Sequence, residues 1–169
     1  FTMLKMKSDD YHLQKSKQDI CEFLRRQCAE YYPVAQEKQI DMIIDIPEEE
    51  LLYEADYALL ARVTGNLLSN ALKYNRTGDK TEVRLTQRKQ QFEIYVADDG
   101  EAIAENIREN LFDDFTRGDS SRKSDGGTCL GLSIARAIIE KHGGTIRYEY
   151  RNGRNQFIIV LIAETSTDR

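Results

Sequence analysis

Residues 66–74 read N-L-L-S-N-A-L-K-Y, and the fold hangs on this stretch. Leu60, Val63, Leu67 and Ala71 recur at helical spacing through it, so it reads as a helix with one face in a core. Asp56 is placed to cap its start, and the helix is expected to run to about Tyr74. Asn66, Asn70 and Lys73 stand at i, i+4 and i+7, a second face beside the apolar one. Asparagine is a poor helix former and adds little to packing, so a pair bordering a core stripe asks for a reason. A neutral amide oxygen suits Mg²⁺, a hard cation that prefers oxygen and keeps water and phosphate as its other ligands. Lys73, one turn on, is placed to meet phosphate. Alone, this helix is equally compatible with an ordinary polar surface.

Working outward, Ile20, Phe23, Leu24, Cys28, Tyr31 and Tyr32 predict a helix from about Asp19 to Gln36, with Asp19 as N-cap. Pro33 is expected to end or bend it. Ile40 to Ile46 and Leu51 to Ala55 read as strands separated by a turn at Pro47 and three glutamates. Downstream, Val83–Thr86 and Phe92–Ala97 alternate as an antiparallel hairpin around a polar turn at Arg88–Gln91. Residues 99–129 are polar and weakly periodic, and a loop of this length in a compact domain is functional or disordered. Leu130 to His142 is a helix closed by Gly143 and Gly144, followed by strands near Thr145–Tyr150 and Gln156–Ile162. This order predicts an α/β chain, in detail an α+β two-layer sandwich with a mixed sheet and helices on one face.

Two further motifs bear on chemistry. In V-A-D-D-G-E-A-I, residues 96–103, a strand runs into a tight turn, and a carboxylate at a strand end can accept a hydrogen bond from an adenine amino group. On its own, D-G is more simply a turn dipeptide. In G-G-T-C-L-G-L-S-I-A, residues 126–135, glycines lead into a helix whose free N–H groups and dipole favour a phosphate. Such a pair is frequent in loops, and by itself it is weak. No G-x-x-x-x-G-K-[ST] phosphate loop is present.

In this order the motifs closely resemble the nucleotide site of the histidine kinase branch of the gyrase, chaperone, histidine kinase and mismatch-repair ATPase superfamily. N-L-L-S-N-A-L-K-Y resembles that family's asparagine box, D-D-G-E-A-I its first glycine box, L-F-D-D-F-T-R (111–117) its phenylalanine box, and G-G-T-C-L-G-L-S-I-A-R its second glycine box. The resemblance implies a Bergerat-type fold, a mixed sheet of about five strands packed on three helices. It implies that Asn70 holds Mg²⁺ with Asn66 beside it, and that Lys73 and Tyr74 contact phosphate and nucleotide. Asp98 would bind the adenine amino group, while Gly100 and Ile103 shape the base pocket. Residues 113–128 would form a lid over ATP, anchored by Phe112 and Phe115, with Arg117 reaching the phosphates. Gly126, Gly127, Thr128, Leu130, Gly131 and Leu132 complete the nucleotide-binding candidates.

The implied organisation is a catalytic domain over 10–165, preceded at 1–9 by the tail of an upstream helix or linker. Its partners would be the dimerisation and histidine phosphotransfer domain of the same parent and a response regulator. The parent would be a homodimer attached to the bacterial cell membrane, with this piece a cytoplasmic, monomeric domain. Opening on Phe1 rather than Met is what a piece of a longer protein is expected to do.

The family's phosphoacceptor segment, H-[DE]-x-[KR]-x-P, is missing: His12 sits in Y-H-L-Q-K and His142 at a helix end, where its partial charge suits the dipole. Both are read as structural. Cys129 and Ala102 stand where the family has glycines, and G-R-N-Q-F, 153–157, lacks the family's glycine–threonine pair. These departures keep open a nucleotide-binding regulatory module without transfer activity. A gyrase- or chaperone-type ATPase is less well supported, because those branches carry a glutamate base where this chain has Asn66, and an amide cannot take a proton.

Composition narrows the rest. Hydrophobic residues at 40% and charged residues at 31% over 169 residues suit one globular domain rather than a disordered chain. A net charge of -5 with scattered Lys and Arg argues against a general nucleic-acid binder. No apolar run approaches the roughly 20 residues that span a bilayer. Cys21, Cys28 and Cys129 have no metal-ligand spacing, and Cys21 and Cys28 are expected to be small buried hydrophobes.

Overall fold

The computed structural model describes residues 3–113 and 128–163, with side chains described over 5–113 and 131–163. A short helix α1 (Met3–Lys7) and strand β1 (Ser16–Asp19) lead into helix α2 (Ile20–Glu37). Asp19 caps α2 by accepting from the Cys21 N–H at 3.0 Å, and the same oxygen accepts from the Leu51 N–H at 3.1 Å. One carboxylate thus starts a helix and ties it to the next element. Pro33 neither ends the helix nor marks its last turn; α2 runs past it to Glu37. Cys21 and Cys28 are fully buried on its inner face, and burial pushes the Cys28 thiol up to about 11. They behave as the hydrophobes the sequence suggests.

Strands β2 (Asp41–Asp45) and β3 (Leu52–Ala55) precede helix α3 (Tyr57–Tyr74). Asp56 caps α3, with one oxygen accepting from the Leu59 N–H at 3.2 Å and the other from the Gln14 N–H at 2.9 Å. Leu60, Val63, Leu67 and Ala71 are all buried, as the apolar stripe requires. Strands β4 (Lys80–Arg88) and β5 (Gln91–Asp98) form the predicted hairpin, which turns at Lys89 with φ 53. A single turn of helix α4 (Glu105–Arg108) follows; then come helix α5 (Thr128–Lys141) and strands β6 (Thr145–Arg151) and β7 (Arg154–Ile162). Gly143, at φ +77, takes the left-handed backbone that closes α5, and the Gly144 N–H reaches back to the Ile139 carbonyl at 3.0 Å.

The main sheet has five strands in the order β2-β4-β5-β7-β6, with β2 parallel to β4 and every other pair antiparallel. Register aligns Val83 with Val96 and Phe157, and Leu85 with Ile94 and Ile159. These rows join Leu24 of α2, Leu67 of α3 and Ile138 of α5 in one core. The expected layer of α2, α3 and α5 on a mixed sheet is therefore present. Two features went unforeseen. β1 pairs antiparallel with β3 in a separate two-stranded sheet, though S-K-Q-D has no alternation to announce it. The segment at 3–7 also packs on the domain: Met6 is 1% exposed, and Lys141 Nζ donates to the Ser8 carbonyl at 3.1 Å.

Candidate functional site

Strand β5 ends on Asp98, a carboxylate only 6% exposed. Its Oδ1 accepts from the Gly100 N–H at 2.9 Å and from Asn155 Nδ2 at 3.0 Å. Among the described residues, Oδ2 accepts no hydrogen bond. Burial pushes this carboxyl above the usual aspartate range, against the downward pull of the Asn155 and Gly100 hydrogen bonds. Gly100 is required by space: a β-carbon there would lie 2.9 Å from Asp98 Oδ1 and 3.3 Å from the Tyr74 carbonyl oxygen.

Neighbouring strands hold the turn that follows. Asn155 Nδ2 also donates to the carbonyls of Gly100 (3.1 Å) and Glu101 (3.0 Å), sharing its two hydrogens among three acceptors. Tyr148 donates to Asn155 Oδ1 and accepts from the Ile103 N–H at 3.2 Å. Asn155 and its neighbour Arg154 divide the work. Arg154 turns to Glu82 (2.9 Å) and Asp99 (3.1 Å). Although burial opposes it, the hydrogen bonds from Arg84 and Arg154 hold the Glu82 carboxyl below its ordinary range.

A pocket of about 290 Å³ opens beside Asp98. Asn70 and Tyr74 enter from α3, Ala102 and Ile103 from the loop after β5, Leu132 from α5, and Asn155 and Phe157 from β7. Arg76 and Glu101 complete the lining and pair at 3.1 Å; with side chains 78% and 87% exposed, that pair contributes little to stability. The pocket lies at the small end of the range for ligand sites, with an apolar side made by Ala102, Ile103, Leu132 and Phe157 beside the buried Asp98 carboxylate, which suits a planar heterocycle. Below the turn, Asn75 donates to Thr81 Oγ1 at 2.8 Å, while its buried Oδ1 has no partner among the described residues.

Of the residues singled out from sequence, Asn70, Tyr74, Asp98, Ile103 and Leu132 meet around this one pocket, and Gly100 shapes the turn next to it. Lys73 is not in the wall; it stays exposed on α3, its ammonium 5.5 Å from the Tyr74 ring centroid. Asn66 faces a different crevice, between α3 and α5, with Arg62, Gly131 and Ile134. A shared helical face therefore does not put the two asparagines in one pocket. Phe112 is half-buried and packs edge-on against Phe157, centroids 6.3 Å apart. Phe115, Arg117, Gly126 and Gly127, the side chains of Thr128, Cys129 and Leu130, and most of the expected lid lie outside the described residues.

Sequence reasoning missed Arg76, Glu101, Asn155 and Phe157. The available signal for Asn155 was a polar residue opening an otherwise apolar strand, at a spot already marked as a departure. For Arg76 there was none. His142 is structural, as read from sequence: it is buried, with Nδ1 bonded to the Ile138 carbonyl at 2.8 Å and Nε2 accepting from the Asp56 N–H at 3.1 Å. Burial holds its pKa below the ordinary value. It serves as a neutral bridge from the end of α5 to the start of α3.

As a test of metal fit, no group of three or more His, Cys, Asp or Glu suited to a metal occurs among the described residues. A single neutral amide, Asn70, on the pocket wall fits a cation held mainly by phosphate and water, which is how Mg²⁺ is commonly bound.

A family described as the histidine kinase-, DNA gyrase B- and HSP90-like ATPases matches residues 55–166. Sensor histidine kinase YcbM of Bacillus subtilis (strain 168) is 31% identical over 163 residues, which cover 95% of this chain and 52% of that protein. The chain thus spans about half the length of this curated relative. Among solved structures, the catalytic domain of histidine kinase ThkA superposes with a TM-score of 0.79 at 27% identity, over 89% of this chain and 97% of that one. ThkA in complex with the response regulator TrrA matches with a TM-score of 0.75 at 24% identity, over 91% of this chain and 43% of that one.

Proposed function

Because this chain belongs to the histidine kinase-, DNA gyrase B- and HSP90-like ATPase family, we propose that its pocket takes Mg-ATP and that the chain donates the γ-phosphoryl group to a histidine on a separate dimerisation domain. The observation that carries this reading is the buried Asp98 carboxylate, with one oxygen committed to protein donors, in the same pocket wall as Asn70. Asp98 accepts a hydrogen bond from the adenine amino group while Ile103, Leu132 and Phe157 exclude water from the base. Asn70 offers an amide oxygen to Mg²⁺, which supplies charge neutralisation on the phosphates. Lys73, Arg117 and the N-terminal turn of α5 contribute phosphate contacts, and Asn66 supports the α3–α5 seam behind them. Catalysis then consists of positioning and charge stabilisation rather than of a base acting on water.

The domain so proposed runs over 10–165, with a lid at 113–128. It works with the dimerisation domain and response regulator of a two-component pathway, within a membrane-attached homodimeric parent. No helix among the described residues is long and apolar enough to cross a membrane. Ala102, a departure from glycine that lines the pocket, favours the second reading, a module that binds nucleotide without transferring phosphate. Calorimetry with a non-hydrolysable ATP analogue, with and without Mg²⁺, tests binding; no heat under either condition would end both readings. Adding a dimerisation domain in trans separates them, since a phosphorylated histidine supports the kinase and bound but untransferred ATP supports the module.

A further inference from the structure

Asp98 and Asn155 stand directly opposite each other on β5 and β7, and both side chains are nearly inaccessible at 6% and 5% exposure. A buried carboxylate can present either oxygen to a ligand unless something distinguishes the two. Here the distinction is made by donors: Oδ1 receives Asn155 Nδ2 and the Gly100 N–H, and among the described residues Oδ2 receives nothing. We infer that Asn155 is the positioning residue for Asp98, and that it thereby sets the preference of this pocket for a 6-aminopurine. The inference rests on the nucleotide reading above and goes beyond it, because it assigns base selectivity to a residue on another strand.

The carboxamide is itself oriented. Its nitrogen faces three acceptors, the Asp98 carboxylate and the carbonyls of Gly100 and Glu101, and exchange with its oxygen would set an acceptor against all three. Its oxygen receives the Tyr148 hydroxyl proton, and that hydroxyl in turn accepts from the Ile103 N–H. A chain Ile103–Tyr148–Asn155–Asp98 therefore runs in one donor direction, from one residue of the pocket wall to the carboxylate of another. Because Asn155 also holds the Gly100 and Glu101 carbonyls, the carboxylate and the loop beside it are set together. Burial raises the Asp98 pKa, and the hydrogen bond from Asn155 works against that rise by favouring the ionised form.

The test compares ATP with purine riboside triphosphate, which lacks only the 6-amino group, in equilibrium titrations of the 169-residue chain. The wild-type chain prefers ATP. In Asn155→Ala and Asn155→Asp that preference falls by roughly tenfold or more, the size expected for one hydrogen bond to a charged group. Affinity for the analogue changes far less. Tyr148→Phe removes only one hydroxyl from a half-buried ring and lowers the preference in the same direction, so the test survives if either Asn155 variant fails to fold. Folded variants that keep the full preference, or that lose both nucleotides equally, overturn the inference. A wild-type chain that binds neither nucleotide overturns the ATP reading itself, which is a different result from wild-type selectivity that Asn155 does not affect.

Discussion

Asn66 and Gly131 meet across the seam between α3 and α5: a β-carbon on Gly131 would lie 2.7 Å from Asn66 Oδ1 and 2.8 Å from its Cγ. The glycine is needed for this close approach, not for an unusual backbone angle.

Gly131→Ala is therefore expected to destabilise the domain. Helix propensity favours alanine by roughly 0.5–1 kcal/mol, and the methyl meets the movable amide of half-buried Asn66 rather than backbone, so the net loss should be small, at most about 1 kcal/mol. Denaturant titration reads the difference. Adding Asn66→Ala should restore most of the loss, giving a coupling energy that two independent sites would not show.

Asn70→Ala should remove Mg-dependent ATP binding and leave the fold intact, because Asn70 is only partly buried and lines the pocket. Loss of the amide ligand should weaken Mg-ATP by at least about tenfold, about 1.4 kcal/mol. Calorimetry with and without Mg²⁺ checks this, with unchanged melting as the control. An unaltered Mg²⁺ dependence would remove Asn70 from the site.

Asp98→Asn should invert the base preference. With two donors at the Oδ1 position, the new amide must turn its oxygen toward Gly100 and Asn155, which leaves its NH₂ facing the pocket. A donor there opposes the adenine amino group and suits a 6-oxopurine. ATP should weaken by at least roughly tenfold while inosine triphosphate gains relative to it. Parallel losses for both nucleotides would contradict this.

His142 makes stability depend on pH in a defined direction. Burial holds its folded pKa below the ordinary 6.5, so the unfolded chain binds the extra proton first. Its contribution is complete above pH 6.5 and is lost as pH falls from there through the lower folded value. Asp56 and Lys15 are the charged groups acting on it; the Asp56 charge opposes the shift and Lys15 adds to it. Denaturation midpoints should fall between about pH 7.5 and about pH 5, and His142→Gln should lack that part of the slope. A wild-type profile identical to that of the variant would refute the assignment.

The elements were legible where periodicity is strong. The bounds of α3 match expectation at both ends, because Asp56 supplies a cap and Leu60, Val63, Leu67 and Ala71 a continuous stripe. β1 was not legible, since its pairing with β3 is made through the backbone and leaves no mark on the exposed S-K-Q-D. Pro33 does not end α2, because the helix is held by tertiary burial of Leu24, Cys28 and Ala35 on both sides of the proline.

The sequence by itself determined the layer architecture and the family, together with three of the pocket's polar and aromatic walls: Asn70, Tyr74 and Asp98. Asn70 follows from helical spacing and Asp98 from its place at a strand end, both of which survive without coordinates, while Tyr74 follows from the resemblance of its motif to the family's asparagine box. Only the tertiary structure decided that Asn66 belongs to a separate seam, that Lys73 stays outside the wall, and that Asn155 orients Asp98 from 57 positions away. Such relations depend on sheet register and on the rotation of one helix against another, and neither is encoded in the spacing of residues along the chain.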